Sequence, residues 1–464
     1  MNELPSNWAD CLLEDLLGQL DNGKALQQGW SPQCDSVPAA EGEWGVLKTT
    51  AIQDGYFLET ENKSLPSSLS PKPELEVKAG DLLMTCAGPR SRCGVICHVE
   101  KTRKKLIFSG KIYRFRPNER FVKTKFLTHL LRTPELKEKI DGIKTGISES
   151  GMNMTRDRFF SLPVRLAPFN EQTRIAAKLD VLLAQAHTLK GRIDGIPMLL
   201  DRLRQSVLAA AVSGRLTDEW RNGAMAKWET CTLADVIDGK PRNGYSPKSV
   251  EYETSTKTLS LSATTSGVFK GEHFKFIDET ISRDSHLWLR PGDILIQRAN
   301  TIEYVGVSAI YDDKPMSYIY PDLMMKCRAR EGVLTEYLHI CLSSRAVRKH
   351  FRDNATGTAG NMPKINQQTV MSAPVLLAPL SEQTEIVRRV EKLFAFADQL
   401  ETRVKVAQAR INHLTQSILA KAFRGELVPQ DPNDEPASVL LERIKAQRAA
   451  APKAKRGRQA ANSN

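Results

Sequence analysis

Two short polar segments, one in each half of the chain, carry side chains suited to reading nucleic-acid bases. Each follows a similar apolar sequence that predicts a strand, Val77–Met84 (VKAGDLLM) in the first half and Leu289–Ile296 (LRPGDILI) in the second. Arginine and small polar side chains on loops form hydrogen bonds with base edges. Because both halves place such residues at the same point, we predict base contacts by Arg90, Arg92, Arg298, Asn300 and Thr301.

A second basic cluster lies between Lys101 and Lys125, which hold ten basic residues and one acidic residue, Glu119. The alternating sequence IYRFR predicts a strand with Arg114 and Arg116 on one face. Such a face can follow the phosphates of a nucleic acid, or it can simply be solvated. Both interpretations stay open.

Three polar segments offer further contacts. The turn Lys240–Lys248 (KPRNGYSPK) presents Arg242, Asn243 and Lys248, either as nucleic-acid ligands or as an ordinary exposed turn. The glycine-containing loops Thr145–Arg156 and Thr356–Lys364 precede the start of each long helix described below. We expect these two loops to line the same groove as the base-reading segments.

The sequence lacks the short motifs of common enzymes. It has no phosphate-binding GxxxxGK[ST], no dinucleotide-binding GxGxxG, no GxSxG, no HExxH and no paired CxxC. The segment Cys93–His98 (CGVICH) is apolar and has no second ligand pair, which favours a core strand over a metal site. We therefore predict no catalytic residue, no metal and no cofactor in this chain.

Charge and composition suggest a polyanionic partner. The 464 residues carry a formal net charge of +12, and half of it comes from the last 28 residues, which hold seven basic residues and one acidic residue. The first residues form no signal peptide, and no run approaches the roughly 20 apolar residues that span a bilayer. We expect a cytoplasmic protein with free cysteines.

The elements that position these segments occur twice, 211 residues apart. Ser161–Ile175 and Ser372–Ile386 are identical at ten of 15 positions, and Leu203–Leu216 and Leu414–Leu427 at eight of 14. A duplication with so long a period predicts two copies of one unit. The function should therefore depend on what two copies can do together.

Each copy ends in a long amphipathic helix. Apolar residues recur in alternating steps of four and three from Ile175 to Val207 and from Ile386 to Ile418, a period typical of coiled coils. Each helix follows the rest of its copy, which we call a lobe. Antiparallel pairing of the two helices would therefore place one lobe at each end of the helix pair. Gly195 and Pro197 have no counterpart in the second copy and predict a kink or break.

The chain resembles the specificity subunits of Type I restriction-modification systems, particularly the EcoKI-like group. The likeness is carried by Pro168–Gln172, Pro379–Gln383, Gln205–Leu216 and Gln416–Leu427, and its layout covers nearly the whole chain. It implies an α+β fold of two mixed α/β target-recognition lobes separated by an antiparallel two-helix coiled coil with a pseudo-twofold repeat. The implied regions are 1–167 and 217–378 as recognition domains, 168–216 and 379–427 as helix regions, and 428–464 as C-terminal helix and basic tail.

The resemblance also implies a role and partners. Each lobe would read half of a bipartite double-stranded DNA target, while two modification subunits and the restriction subunits would supply methylation, ATP-driven translocation and cleavage. AdoMet, ATP and Mg would then bind those partners. The alternative is a single-chain DNA-modifying or DNA-cleaving enzyme with an unrecognised active site. AdoMet binding or Mg-dependent cleavage by the purified chain would favour that alternative.

Overall fold

The computed structural model describes residues 5–222, 228–357 and 362–450. These residues form two compact units, unit 1 from Met1–Arg192 with Ala407–Asn464 and unit 2 from Ile193–Val406. The predicted basic segment Lys453–Arg458 lies outside the described residues. Among the described helices, none is long and apolar enough to cross a membrane. The mixture of α and β elements with long helices agrees with the fold class expected from the sequence.

Unit 1 contains short strands, most of which pair antiparallel. Its main sheet has the order β2-β9-β5-β7, a three-stranded sheet has the order β4-β3-β8, and β1 pairs with β11 and β6 with β10. The elements are β1 (Ala9–Leu12), α1 (Leu13–Leu16), β2 (Leu26–Gln28), β3 (Gly45–Leu47), β4 (Asn62–Ser64), β5 (Leu82–Thr85), β6 (Ala87–Gly88), β7 (Ile96–His98), β8 (Leu106–Phe108), β9 (Ile112–Phe115), α2 (Thr124–Leu130), α3 (Pro134–Gly142), β10 (Met152–Asn153), α4 (Arg156–Phe160), β11 (Pro163–Leu166) and α5 (Phe169–Asp194).

Unit 2 has a main sheet of order β13-β19-β17-β18, a three-stranded sheet of order β14-β16-β15, and a β12-β20 pair. Its elements are α6 (Ile196–Val212), β12 (Glu229–Thr232), α7 (Leu233–Val236), β13 (Arg242–Asn243), β14 (Ser249–Val250), β15 (Thr256–Leu259), β16 (Phe274–Ile277), β17 (Ile294–Gln297), β18 (Ser308–Ile310), β19 (Met324–Cys327), α8 (Thr335–Ser343), α9 (Arg345–Asp353), α10 (Gln367–Met371), β20 (Pro374–Leu377) and α11 (Leu380–Ala422), whose C-terminal part belongs to unit 1.

The main sheets of the two units share one strand register. In unit 1, Leu82 of β5 faces Phe115 of β9. In unit 2, Ile294 of β17 faces Cys327 of β19, so both partners are shifted by 212 residues. The last residues of the VKAGDLLM and LRPGDILI segments thus belong to central strands, β5 and β17, whose side chains are buried in cores on both sides.

The long helices complete the core of each unit. In unit 1, Ile175 and Leu179 of α5 are buried with Leu419 and Ala422 of α11. In unit 2, Val207 and Ala211 of α6 are buried with Ile386 and Val390 from the beginning of α11. Within each unit, then, the end of one long helix packs near the beginning of the other.

The predicted interruption of the first helix is present. Helix α5 ends at Asp194 and α6 begins at Ile196, with Gly195 between them and Pro197 in the first turn of α6. Proline has no N–H to donate, and this removes a helical hydrogen bond. The second copy has Val406 and Gln408 at the matching positions, and α11 continues for 43 residues.

A last helix, α12 (Ala437–Ala450), belongs to unit 1. Its apolar face, Leu440, Leu441 and Ile444, is buried in the same core as Leu13 and Leu16. Arg448 forms an ion pair with Asp15 at 2.9 Å. The amphipathic C-terminal helix expected from the sequence therefore packs against the beginning of the chain.

Candidate nucleic-acid interface

In each unit, the predicted base-reading segment lies beside the predicted glycine-containing loop. In unit 1, β6 pairs with β10, and the Arg90 amide donates to the Glu149 carbonyl at 2.8 Å. In unit 2, Ala299 bridges to Lys364, and the Ile365 amide donates to the Arg298 carbonyl at 2.9 Å. Each unit thus presents one composite surface, which we call the loop pair: residues 86–92 with 145–153 in unit 1, and 298–304 with 356–357 and 362–364 in unit 2. The middle of the predicted loop Thr356–Lys364 lies outside the described residues.

The arginines of the unit 1 loop pair are already occupied. Arg90 forms ion pairs with Asp141 at 2.8 Å and Glu149 at 3.0 Å. Arg92 donates from one guanidinium nitrogen to the carbonyls of Thr49 and Ile52, both at 2.6 Å. The charge of Arg90 is therefore neutralised by two carboxylates. Arg92 is half-buried, and its hydrogen bonds hold the turn that contains Thr49 and Ile52.

The loop pair of unit 2 has the opposite character. Arg298 is half-buried, and within the described part of the chain its guanidinium donates to the Asp322 carbonyl at 3.3 Å and to no other group. Thr301 and Lys364 are exposed. No described carboxylate forms an ion pair with Arg298 or Lys364. The Asn300 amide points inward and donates to Gln297 at 2.6 Å. Lys364 lay within a predicted loop, but the sequence alone did not single it out.

The expectation of an exposed basic face on β9 is wrong for Arg114. Its side chain is only 6 % exposed and donates to the carbonyls of Glu76 at 2.7 Å and Glu74 at 2.9 Å. Arg116, which is half-buried, forms an ion pair with the fully buried Asp81 at 2.7 Å. Asp81, which immediately precedes β5, supplies the carboxylate that pairs with both arginines on this internal face. Burial, the largest effect, raises the pKa of Asp81 despite these cations.

Unit 2 repeats this arrangement with different exposure. Asp293, which matches Asp81, pairs with Lys326 at 3.3 Å and Arg328 at 2.9 Å. In both units, the carboxylate also accepts a backbone N–H three residues earlier, from Lys78 and Arg290 respectively, at 2.8 Å. The signal that could have revealed this buried carboxylate was the Gly-Asp pair repeated in both copies.

The segment 240–248 presents exposed side chains, which both of its interpretations require. Arg242 and Asn243 form β13 at the edge of the main sheet, and both side chains are accessible. Lys248 is also exposed. Among described residues, none of these side chains has an ion-pair partner. All three remain candidates for contact with a polyanion.

The Glu-Gln pair at the start of each long helix connects that helix to the rest of its unit through hydrogen bonds. In unit 1, buried Glu171 accepts from the Trp8 indole N–H at 3.1 Å and from Gln430 at 2.7 Å. Gln172 donates to the Ala167 carbonyl at 2.9 Å and accepts from the Lys123 amide at 2.9 Å. The strong sequence match at these positions therefore reflects structure.

The matching pair in unit 2 has the same geometry but different electrostatics. Glu382 accepts from the Trp228 indole at 2.9 Å and from Thr217 at 2.6 Å, and it also pairs with Arg221. Burial alone would raise the pKa of Glu382, but these hydrogen bonds and the Arg221 charge hold it below its usual value. Burial dominates at Glu171 and raises its pKa.

The segment Cys93–His98 belongs to the core, as predicted. Cys97 lies in β7 opposite Leu83, and burial raises the pKa of its thiol to about 12. Burial also lowers the pKa of His98. Across residues 5–222, 228–357 and 362–450, no three His, Cys, Asp or Glu side chains are grouped so as to hold a metal ion.

Comparison with solved structures gives the same fold. A chain from a structure of type I R-M complex assembly has a TM-score of 0.68 at 18 % identity, and covers 92 % of this chain and 100 % of its own. The HsdS subunit from Thermoanaerobacter tengcongensis has a TM-score of 0.51 at 19 % identity, with coverages of 92 % and 98 %.

Sequence comparison extends the likeness. The family model of the Type I restriction modification DNA specificity domain matches residues 225–407. The EcoKI specificity subunit of Escherichia coli (strain K12) is 33 % identical over 418 residues, which are 87 % of this chain and 89 % of that protein. The StySPI specificity subunit of Salmonella potsdam is 30 % identical over 425 residues, with coverages of 87 % and 88 %. This chain belongs to the specificity subunits of Type I restriction enzymes.

Proposed function

We propose that this chain, as the DNA-recognition subunit of a Type I restriction-modification complex, reads a bipartite target with one lobe on each half. The single observation that carries the proposal is the repeated loop pair: both units build it on the same strand register, yet give it different side chains. A shared scaffold with different reading residues suits two different half-sites.

The long helices set the unread gap between the half-sites. Support comes from the contacts inside each unit, where the end of one helix is buried with the beginning of the other. In unit 2, Arg204 of α6 also pairs with Asp398 at 2.7 Å and Glu401 at 2.9 Å. We infer an antiparallel coiled coil related by a pseudo-twofold axis, with regions bounded at 167, 216, 378 and 427. One B-DNA turn is about 34 Å, a distance that helices of this length can span.

The loop pairs supply the base contacts in this proposal. In the second half, Arg298 and Thr301 face bases, with Asn300 reoriented from its internal hydrogen bond, and Arg242, Asn243 and Lys248 contact the same duplex. In the first half, Arg90 reads once DNA displaces its carboxylates, and Arg116 and Arg92 support the surface from behind. Arg114 is excluded because it is buried.

The partners carry the chemistry. As a specificity subunit, the chain recognises DNA within its complex and is not the catalytic component. We propose two modification subunits that bind AdoMet and grip the helices, and restriction subunits that use ATP and Mg. The complex then acts on chromosomal and invading DNA in the cytoplasm.

A lobe exchange tests the proposal. Residues 1–167 would be replaced by the corresponding segment of the StySPI relative, and methylated adenines would be mapped in DNA from a host carrying the complex. We expect one half of the methylated sequence to change while the gap and the other half persist. The reciprocal exchange of 217–378 is the matched control and should change only the other half. A change in both halves after either exchange would contradict the model of two readers.

A further inference from the structure

Unit 2 contains a basic cavity on the main sheet, and Arg242 is the one cation of this cavity to which the proposal above gives a role. The cavity has a volume of about 470 Å³. It is lined by five cationic side chains and three carboxylates, and so carries an excess of two positive charges. The cations are Lys240, Arg242, Arg290, Lys326 and Arg328.

The carboxylates do not neutralise all of these cations. Asp293 is buried and binds Lys326 and Arg328. Among described residues, no carboxylate forms an ion pair with Lys240, Arg242 or Arg290, although all three side chains are exposed. Three exposed cations therefore line the cavity together with two that Asp293 holds.

The strand register brings two of the cations directly opposite each other. Arg242 of β13 faces Lys326 of β19, so both side chains lie on the same face of the sheet. Lys326 is only 15 % exposed, and its ammonium is held by the Trp288 carbonyl at 2.9 Å and by Asp293. Like charges placed directly opposite on neighbouring strands destabilise the pair. An anion bound between them would remove that cost.

The same position in unit 1 is already satisfied. Gln27 there faces Arg114, and its side-chain oxygen accepts a hydrogen bond from the guanidinium. Lys78, which precedes the carboxylate as Arg290 does in unit 2, pairs with Asp21 at 2.8 Å. In unit 1, side chains of the same unit thus provide partners for the cations at this position. The matching position in unit 2 is the positively charged cavity.

We propose that the unit 2 cavity binds one phosphate of the DNA backbone, with Lys240, Arg242 and Arg290 as its ligands and Lys326 and Arg328 as a fixed positive floor. The inference rests on the DNA-recognition role proposed above. A backbone phosphate fits because such contacts fix the position of a protein on DNA without reading sequence. Unit 2 would then be anchored at a point where unit 1 is not.

The salt dependence of DNA binding tests the proposed phosphate contact, which we call the anchor. The assembled methyltransferase would be titrated with duplexes that carry, or lack, the sequence methylated in its host, at several salt concentrations. We expect K240A/R290A to weaken both duplexes alike, by about three- to tenfold, and to lower the slope of log K against log salt by about 1. R242Q, which copies unit 1, should have a smaller effect of the same kind. K275A/R345A removes two exposed cations of unit 2 outside the cavity and should change the slope less.

Ethylation interference locates the contact. One ethylated phosphate should impair binding by the wild-type complex and lose that effect with K240A/R290A. An unchanged slope and an unchanged interference pattern in K240A/R290A and R242Q would overturn the anchor. If inorganic phosphate at constant ionic strength raises the Tm of the wild-type chain while both variants keep the wild-type slope, the cavity binds free anions and the proposal fails. Failure of the wild-type complex to prefer the methylated sequence would instead refute the proposed function.

Discussion

The two units share a sheet register and differ in how their cations are neutralised. In unit 1, Arg90 is held by two carboxylates and Arg114 is buried beside Asp81. In unit 2, Arg298 and Arg242 have no ion-pair partner among described residues, and Arg328 is partly exposed above Asp293. The same strand register is therefore compatible with two different patterns of charge on the surface.

Removal of the buried carboxylate, Asp81 in unit 1 or Asp293 in unit 2, should cause the largest difference in stability between the two units. D81A leaves the buried guanidinium of Arg114 without its counter-charge, which costs about 3–5 kcal/mol of unfolding free energy. D293A should cost less, because Lys326 and Arg328 are more accessible to water than Arg114. Urea unfolding of the two variants measures both losses. Equal losses would show that exposure of the cations does not control the cost.

Deletion of matched loop arginines tests whether neutralisation limits DNA contact. R298A should weaken binding of the methylated sequence by about 1–3 kcal/mol and relax discrimination in the second half-site. R90A should have a smaller effect, since DNA must first displace Asp141 and Glu149 from Arg90. Titration of the assembled complex with half-site variants measures both changes. A larger loss in R90A would contradict the contrast between the lobes.

The Glu-Gln pairs offer a comparison that depends on pH. E382Q should lower the unfolding free energy at neutral pH by about 1–2 kcal/mol, because Arg221 loses its buried partner. E171Q should cost less, since burial already disfavours the charged carboxylate there. Urea unfolding at neutral pH measures both.

The sign of the pH dependence differs between the two glutamates. The pKa of Glu382 is lowered on folding, so its contribution is present above the ordinary value of 4.5 and is lost as the pH falls through the folded value. The pKa of Glu171 is raised, so its contribution is present below 4.5 and is lost as the pH rises. Unfolding curves from pH 7 to pH 3 should therefore show wild type and E382Q converging with acid. Divergence in acid would contradict the assignment.

The smallest expected effect concerns the neutralisation of Arg90 by its carboxylates. E149A removes one of the two carboxylates from Arg90 and should raise DNA affinity slightly, while stability should change little because the ion pair is exposed to solvent. Anisotropy titration at low salt measures the gain, and E149A/R90A is the control that should abolish it. A gain that persists in the double variant would arise from general charge and not from Arg90.

Much of the architecture could be predicted because repeats and periods are local properties of a sequence. The 211-residue repeat predicted two copies, and the heptad spacing predicted long helices, as α11 confirms. The interruption at Gly195 followed from Pro197, which cannot donate a backbone hydrogen bond. The burial of Cys97 followed from its apolar neighbours.

The candidate interface was predicted less completely. The sequence placed Arg90 and Arg298 on loops, and those loops lie where expected beside their partner loops. The sequence could not predict which of these arginines pairs with a carboxylate. Asp141 and Glu149, the partners of Arg90, lie more than 50 residues from it in the chain.

Repeats, apolar periods and motifs were enough to predict the duplicated plan, the helices and the family. Only the tertiary structure decided which cations are available, since strand pairing brings Asp81 beneath Arg114 and sets Arg242 against Lys326. The reason is physical: a charge is neutralised by neighbours within a few ångströms, and folding chooses those neighbours from distant parts of the chain.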